Sequence, residues 1–177
     1  MDNNLMFTMK FLIKKLEYLK NLFALYSYLN TNESVAIDSK VKEISIGCCY
    51  ESIVLNISSL YDSDTRGYSI LDLYLYDKKI DTTKRIEITD EVIVWIESIS
   101  GDDSSLKEVL LKIRNRRNRL LAHSDKAYIE SLSESFEGIS IHRFWILYLI
   151  IVDIVIYIDK TYNLGINPIH LKESLKF

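Results

Sequence analysis

The stretch KIRNRRNRLLAHSD, Lys112 to Asp125, crowds cationic side chains into a chain whose formal net charge is −3. Within it, Arg117 and His123 are a pair that can cleave an RNA phosphodiester without a metal. Histidine titrates near neutrality, so it can take a proton from an attacking 2′-hydroxyl or give one to a leaving oxygen. A guanidinium neutralises charge that builds on the phosphoryl oxygens. Lys112, Arg114 and Arg119 would hold an RNA backbone in a salt-dependent way. Arg116 and Asn118 stand on either side of Arg117 in sequence, and Asp125 lies two residues after His123. The ordinary alternatives are a solvated charged face for the arginines and a helix C-terminal cap for the histidine.

A helical wheel separates the arginines. With Ile113 at zero and about 100° per residue, Leu106, Val109, Leu110 and Leu120 fall within about 60° and define the inward stripe. Arg117 falls at about +40°, inside that stripe, while Arg116 and Arg114 lie on its edges at about −60° and +100°. Arg119 and Asn115 point outward. A guanidinium in line with Ile113 and Leu110 is partly desolvated and needs a partner. Two partners suit it: a structural carboxylate such as Asp153, or the phosphate of a ligand, which a guanidinium matches with paired donors. On one unbroken helix Arg117 and His123 stand about 120° and 9 Å apart. They share a phosphate only if the helix ends before His123, or if two copies build the site across a twofold interface.

The elements that must carry these residues are helical. Leu5, Met9, Leu12, Leu16, Leu19, Phe23 and Tyr26 recur at spacings of three and four, and Ile46, Cys49, Ile53, Ile57 and Leu60 repeat the pattern between about Ser39 and Tyr61. A third helix begins near Leu106, where Ser105 and Glu108 have capping-box spacing. A fourth, apolar on all sides, runs from about His142 to Tyr162 and ends near Gly165. Ser69–Tyr76 and Thr89–Ile99 read as short helices, the second β-branched enough to leave a strand as its alternative. The expectation is an all-α fold, an antiparallel helical bundle of about four long helices plus short ones, in one domain spanning residues 1–177.

Composition narrows the classes further. A chain of 177 residues, 48% hydrophobic and 27% charged, supports one folded core. Its charge gives no global footprint for nucleic acid or membrane, so a basic site must be local. Cys48 and Cys49 are adjacent and lack metal-ligand spacing, which reads as reduced thiols of a cytoplasmic protein. The N-terminus has no basic start, apolar block or cleavage site of a signal peptide. The apolar run Phe144–Lys160 carries Asp153 in its middle, which favours a buried central helix over a membrane anchor. No phosphate-binding glycine loop or nucleophile near His123 appears, and no cofactor is expected. Asp62, Asp64, Asp102 and Asp103 read as turn and cap residues, and the C-terminal INPIHLKESLKF as a short docking helix.

The stretch RNRLLAHSD resembles the signature of the HEPN superfamily (higher eukaryotes and prokaryotes nucleotide-binding domains): an Arg, a polar residue, then His after four to six intervening residues. Arg117, Asn118 and His123 fit it, with five residues between Arg and His. Arg116 fits the spacing, but Arg117 follows it where a polar residue belongs. Within the superfamily the match is to the AbiU-type group of bacterial abortive infection systems, whose motif also runs into LAH and an acidic residue. ISSLYDSDTRGYSILDL, Ile57 to Leu73, is similar to that group's exit from its second helix. The resemblance covers about Ser39 to Asp125.

What the resemblance implies is a helical bundle, a homodimer with a composite active site, and a metal-independent endoribonuclease in which Arg117 and His123 are catalytic. The products would carry 2′,3′-cyclic phosphate ends. Relatives of this kind are toxins of phage-defence or toxin–antitoxin systems, which implies an antitoxin or defence-system partner. The commonest partnered type has a Tyr two residues after the His. Here that place holds Asp125, and the nearest Tyr is Tyr128. Two other readings remain open: a non-catalytic HEPN module that binds RNA, nucleotide or a protein, and an unrelated helical interaction protein whose Arg117 pairs with Asp153.

Overall fold

The computed structural model describes residues 3–31, 38–62, 68–81, 87–101, 106–122 and 139–172. Among them are six α-helices and a short 3-10 turn, with no strand: α1 (Asn3–Thr31), α2 (Ser39–Leu60), α3 (Ile70–Asp77), α4 (Asp90–Ser100), α5 (Leu106–Ala122) and α6 (Ile141–Tyr162), then the turn Pro168–Lys172. The all-α expectation holds.

Local chemistry sets most of the helix ends. The carboxylate of Asp38 accepts from the amides of Lys40 and Val41 at the start of α2. Ser69 and Asp72 form a reciprocal capping box at α3. Thr89 caps α4, Asp90 and Glu91 suit its positive N-terminal end, and Gly101 closes it in the left-handed conformation. These signals, with Val92, Ile93 and Ile96 turned inward on one side, settle this segment as helix despite its β-branched residues. Ser140 caps α6, and Asn163 supplies the left-handed exit, two residues before Gly165 takes a second positive φ of 72°.

The innermost helix is α6. Phe144, Tyr148, Ile151, Val152, Ile154, Val155 and Ile158 are fully buried there, and burying each Phe, Ile or Val contributes about 1.5–3 kcal/mol relative to leaving it exposed. The helix has the length and apolarity to cross a membrane, and its sides are covered by α1, α2, α3 and α4. Phe23 of α1 meets Trp145 and Tyr148 edge-on at 5.2 and 5.8 Å, and those two stack at 4.7 Å. The stripe expected on α1 is buried from Leu5 to Phe23, with Tyr26 half-buried. On α2 it is buried from Cys49 onward, with Ile46 half-exposed.

The C-terminal segment forms a 3-10 turn that docks on α1 and α6. Leu171 is buried, and its carbonyl accepts from the Tyr148 hydroxyl at 3.0 Å. Lys20 donates to the carbonyl of His170 at 2.9 Å. Two backbone amides, of Ile166 and Asn167, donate to the carboxylate of Asp159 at 3.0 and 3.1 Å, which holds the approach to the turn.

Candidate functional site

The basic helix α5 lies chiefly against α2. Leu106, Leu110 and Ile113 are its buried anchors, and Val109 is half-buried, as the wheel requires. Arg117 follows Ile113 by four residues, on the same side. Its side chain is only 15% exposed, so the expected desolvation is met.

Its partner is a structural carboxylate, one of the two kinds that suit it, though not that of Asp153. Asp153 of α6 pairs with Lys172 of the C-terminal turn. Arg117 instead extends Nη1 to the Oδ2 of Asp62, whose side chain is 12% exposed. Asp62 is therefore a charge partner and not a simple turn residue. Sequence reasoning missed this because wheel angles show which way a side chain leaves its helix, not which loop it meets. The one available signal was the position of Asp62 directly after the apolar stripe of α2, where a carboxylate must emerge close to the core.

The chain aims that carboxylate through its neighbour. Tyr61 ends α2, its amide bonding back to the carbonyl of Ser58 at 3.2 Å. Its ring is buried and its hydroxyl donates to the carbonyl of Leu147 on α6 at 3.0 Å. Tyr61 is thereby tied to the central helix, and Asp62 follows it directly in sequence. On its other edge, Arg117 donates from Nε and Nη2 to the Oδ1 of Asn118 at 3.3 and 3.0 Å. The guanidinium is thus gripped on two sides, by a carboxylate from another element and by the residue next to it in sequence.

The other expected site residues divide into three groups. Lys112 and Arg114 are exposed on α5, and Lys112 forms an i,i+4 ion pair with Glu108 at 3.0 Å. Such a pair is weak and screened by salt, so it leaves Lys112 available to an anion. Arg116 and Arg119 belong to α5 as well. His123 and Asp125 lie outside the described residues, as does Ser105 of the expected capping box. Asn118 and Arg117 are the two motif residues that the structure brings together.

Beside the Arg117–Asp62 pair is a cavity of about 160 Å³ between the end of α2, the first turns of α5 and the segment around Ile88. Ser58, Tyr61, Asp62, Leu110, Ile113 and Arg114 are among its walls. The arrangement combines an oriented cation, an apolar recess and exposed basic groups along one helix. That can hold a phosphate with an attached flat or apolar group. No family model, curated protein or solved structure matches the chain.

Proposed function

We propose that this chain is a metal-independent RNA endonuclease with a HEPN-like antiparallel helical bundle, of the AbiU type, acting as a cytoplasmic toxin in bacterial phage defence. What supports the reading is the state of Arg117. A mostly buried guanidinium, fixed in direction before any ligand arrives, is what stabilising a developing phosphoryl charge requires. It is also the Arg of the motif in RNRLLAHSD. In this reading the RNA 2′-oxygen attacks the adjacent phosphorus and the bond to the 5′-oxygen breaks. His123 moves the proton between them, and Arg117 bears on the non-bridging oxygens. The products are a 2′,3′-cyclic phosphate and a 5′-hydroxyl. Lys112, Arg114 and Arg119 hold the strand, with Asn118, Arg116 and Asp125 in support. A homodimer brings two motifs together, and an antitoxin or defence partner restrains the activity.

The same ion pair favours a second reading. An arginine already neutralised by Asp62 suits a non-catalytic HEPN-like module that binds RNA, nucleotide or a protein partner. Cleavage separates the two. The purified protein is incubated with RNA in EDTA beside Arg117→Ala and His123→Ala. The endonuclease reading expects cyclic-phosphate ends from the native chain and none from either folded variant. Native protein that binds RNA and leaves it whole, with any partner removed, supports the binding module.

A further inference from the structure

We infer that the cavity beside the Arg117–Asp62 pair is a nucleobase pocket, selective for bases that carry an exocyclic amino group. The inference rests on the ribonuclease reading for its setting and adds the recognition of a base to it. A pocket that shares Asp62 with Arg117 lies one side chain away from the cation proposed to meet the phosphate.

The walls suit a flat heterocycle. Leu110 and Ile113 from α5, Ile88 from the segment before α4, and the ring of Tyr61 are apolar. Tyr61 is fixed by its hydroxyl and its ring is buried, so it is a rigid part of the wall. Selectivity comes from the polar groups. Asp62 and Glu87 are both carboxylates on the lining, and carboxylates only accept hydrogen bonds. Adenine, cytosine and guanine offer an amino group to them, and uracil does not. The exposed Arg114 and Lys107 line the same cavity, and Lys107 is bonded to Asp90 at 2.5 Å. The charge of Lys107 is offset by that pair, and Arg114 supplies positive charge on the solvent side, where the sugar-phosphate would run.

The spacing along α5 extends the same logic. Lys107, Leu110, Leu111 and Arg114 recur at three and four residues, so one face of the helix lines the pocket, and Arg117 comes three residues later. A strand laid along this face meets the base recess first and the oriented guanidinium next.

The test is methyl NMR of the full chain titrated with AMP, CMP, GMP, UMP and inorganic phosphate. The methyls of Ile88, Leu110 and Ile113 report the pocket, and those of Val155 in α6 serve as the remote control. Saturable shifts at the pocket methyls are expected with AMP, CMP or GMP. Binding should be about tenfold tighter than for UMP, the worth of one charge-assisted hydrogen bond. Leu111→Trp, at an exposed position on the rim, is expected to abolish the shifts and to leave the Val155 methyls in place. Pocket methyls that stay still with every nucleotide, or that move equally with inorganic phosphate, overturn the proposal. Cleavage of RNA in EDTA is scored separately. Cleavage with a silent pocket, and with unchanged cutting sites in Leu111→Trp, sinks the pocket and spares the ribonuclease. Nucleotide binding without cleavage does the reverse.

Discussion

Arg117 of α5 and Asp62 at the exit of α2 form an ion pair in which both side chains are more than four-fifths buried. Breaking such a pair from one side leaves a charge without compensation, which is worse than removing both charges. Asp62→Ala and Arg117→Ala are each expected to lower stability by about 2 kcal/mol, between the values for exposed and fully buried pairs. The double variant should lose less than the sum. Urea unfolding at unchanged m-value measures this cycle, and strict additivity would show that the pair carries no coupling.

Tyr148 predicts an alkaline weakness. Burial, and then the nearby charge of Glu17, pushes its phenol well above the usual tyrosine range. A group with a raised folded pKa contributes its stability in full below the unfolded value, about 10, and loses it as pH climbs beyond. Stability should therefore fall from about pH 10 upward. Tyr148→Phe should flatten that fall, at a neutral-pH cost of about 1 kcal/mol for the lost bond to the Leu171 carbonyl. An unchanged alkaline slope in the variant would place the effect elsewhere, for instance at Tyr162, whose phenol burial also pushes up.

Asp159 should control the C-terminal segment. Its carboxylate accepts the amides of Ile166 and Asn167, and its carbonyl accepts that of Leu164 at 3.0 Å. Asp159→Ala removes only the side-chain bonds, at a cost of about 2 kcal/mol. Hydrogen exchange should show the amides of Ile166 and Asn167 released while those of α2 keep their protection. Unaltered exchange at both amides would mean that packing of Leu171 alone fixes the segment.

The two cysteines should differ sharply in reactivity. Cys48 is exposed, whereas Cys49 is buried, and burial together with its neighbour raises the Cys49 thiol pKa. Only the thiolate attacks a disulfide reagent. Titration of the native protein at mildly alkaline pH should give one fast thiol and one slower by about tenfold or more, the two becoming alike in denaturant. Equal native rates would contradict the packing of α2.

Much of the fold was legible because helical periodicity is a local signal. The inner stripes of α1, α2 and α5 follow from spacings of three and four, and the partial burial of Arg117 follows from one wheel angle. The helix at Asp90–Ser100 was harder, since Val92, Ile93, Val94 and Ile96 fit either state, and its caps decide it. The partner of Arg117 was not legible. Asp62 and Asp153 are both acids near apolar helices, and only the tertiary path tells which one arrives. The docking site of the C-terminal turn was hidden for the same reason: Leu171 contacts surfaces far away in sequence.

The tie between Tyr61 and Leu147 gives the site an unusual mechanical reference. Among the described residues the arginine rides on α5, a helix packed chiefly against α2, yet its direction is indexed to α6, the innermost helix. Fluctuations of the outer helix are therefore referred back to the centre through two short links, a phenol and a carboxylate. The positional accuracy of the guanidinium is inherited from the core and not from the helix that bears it.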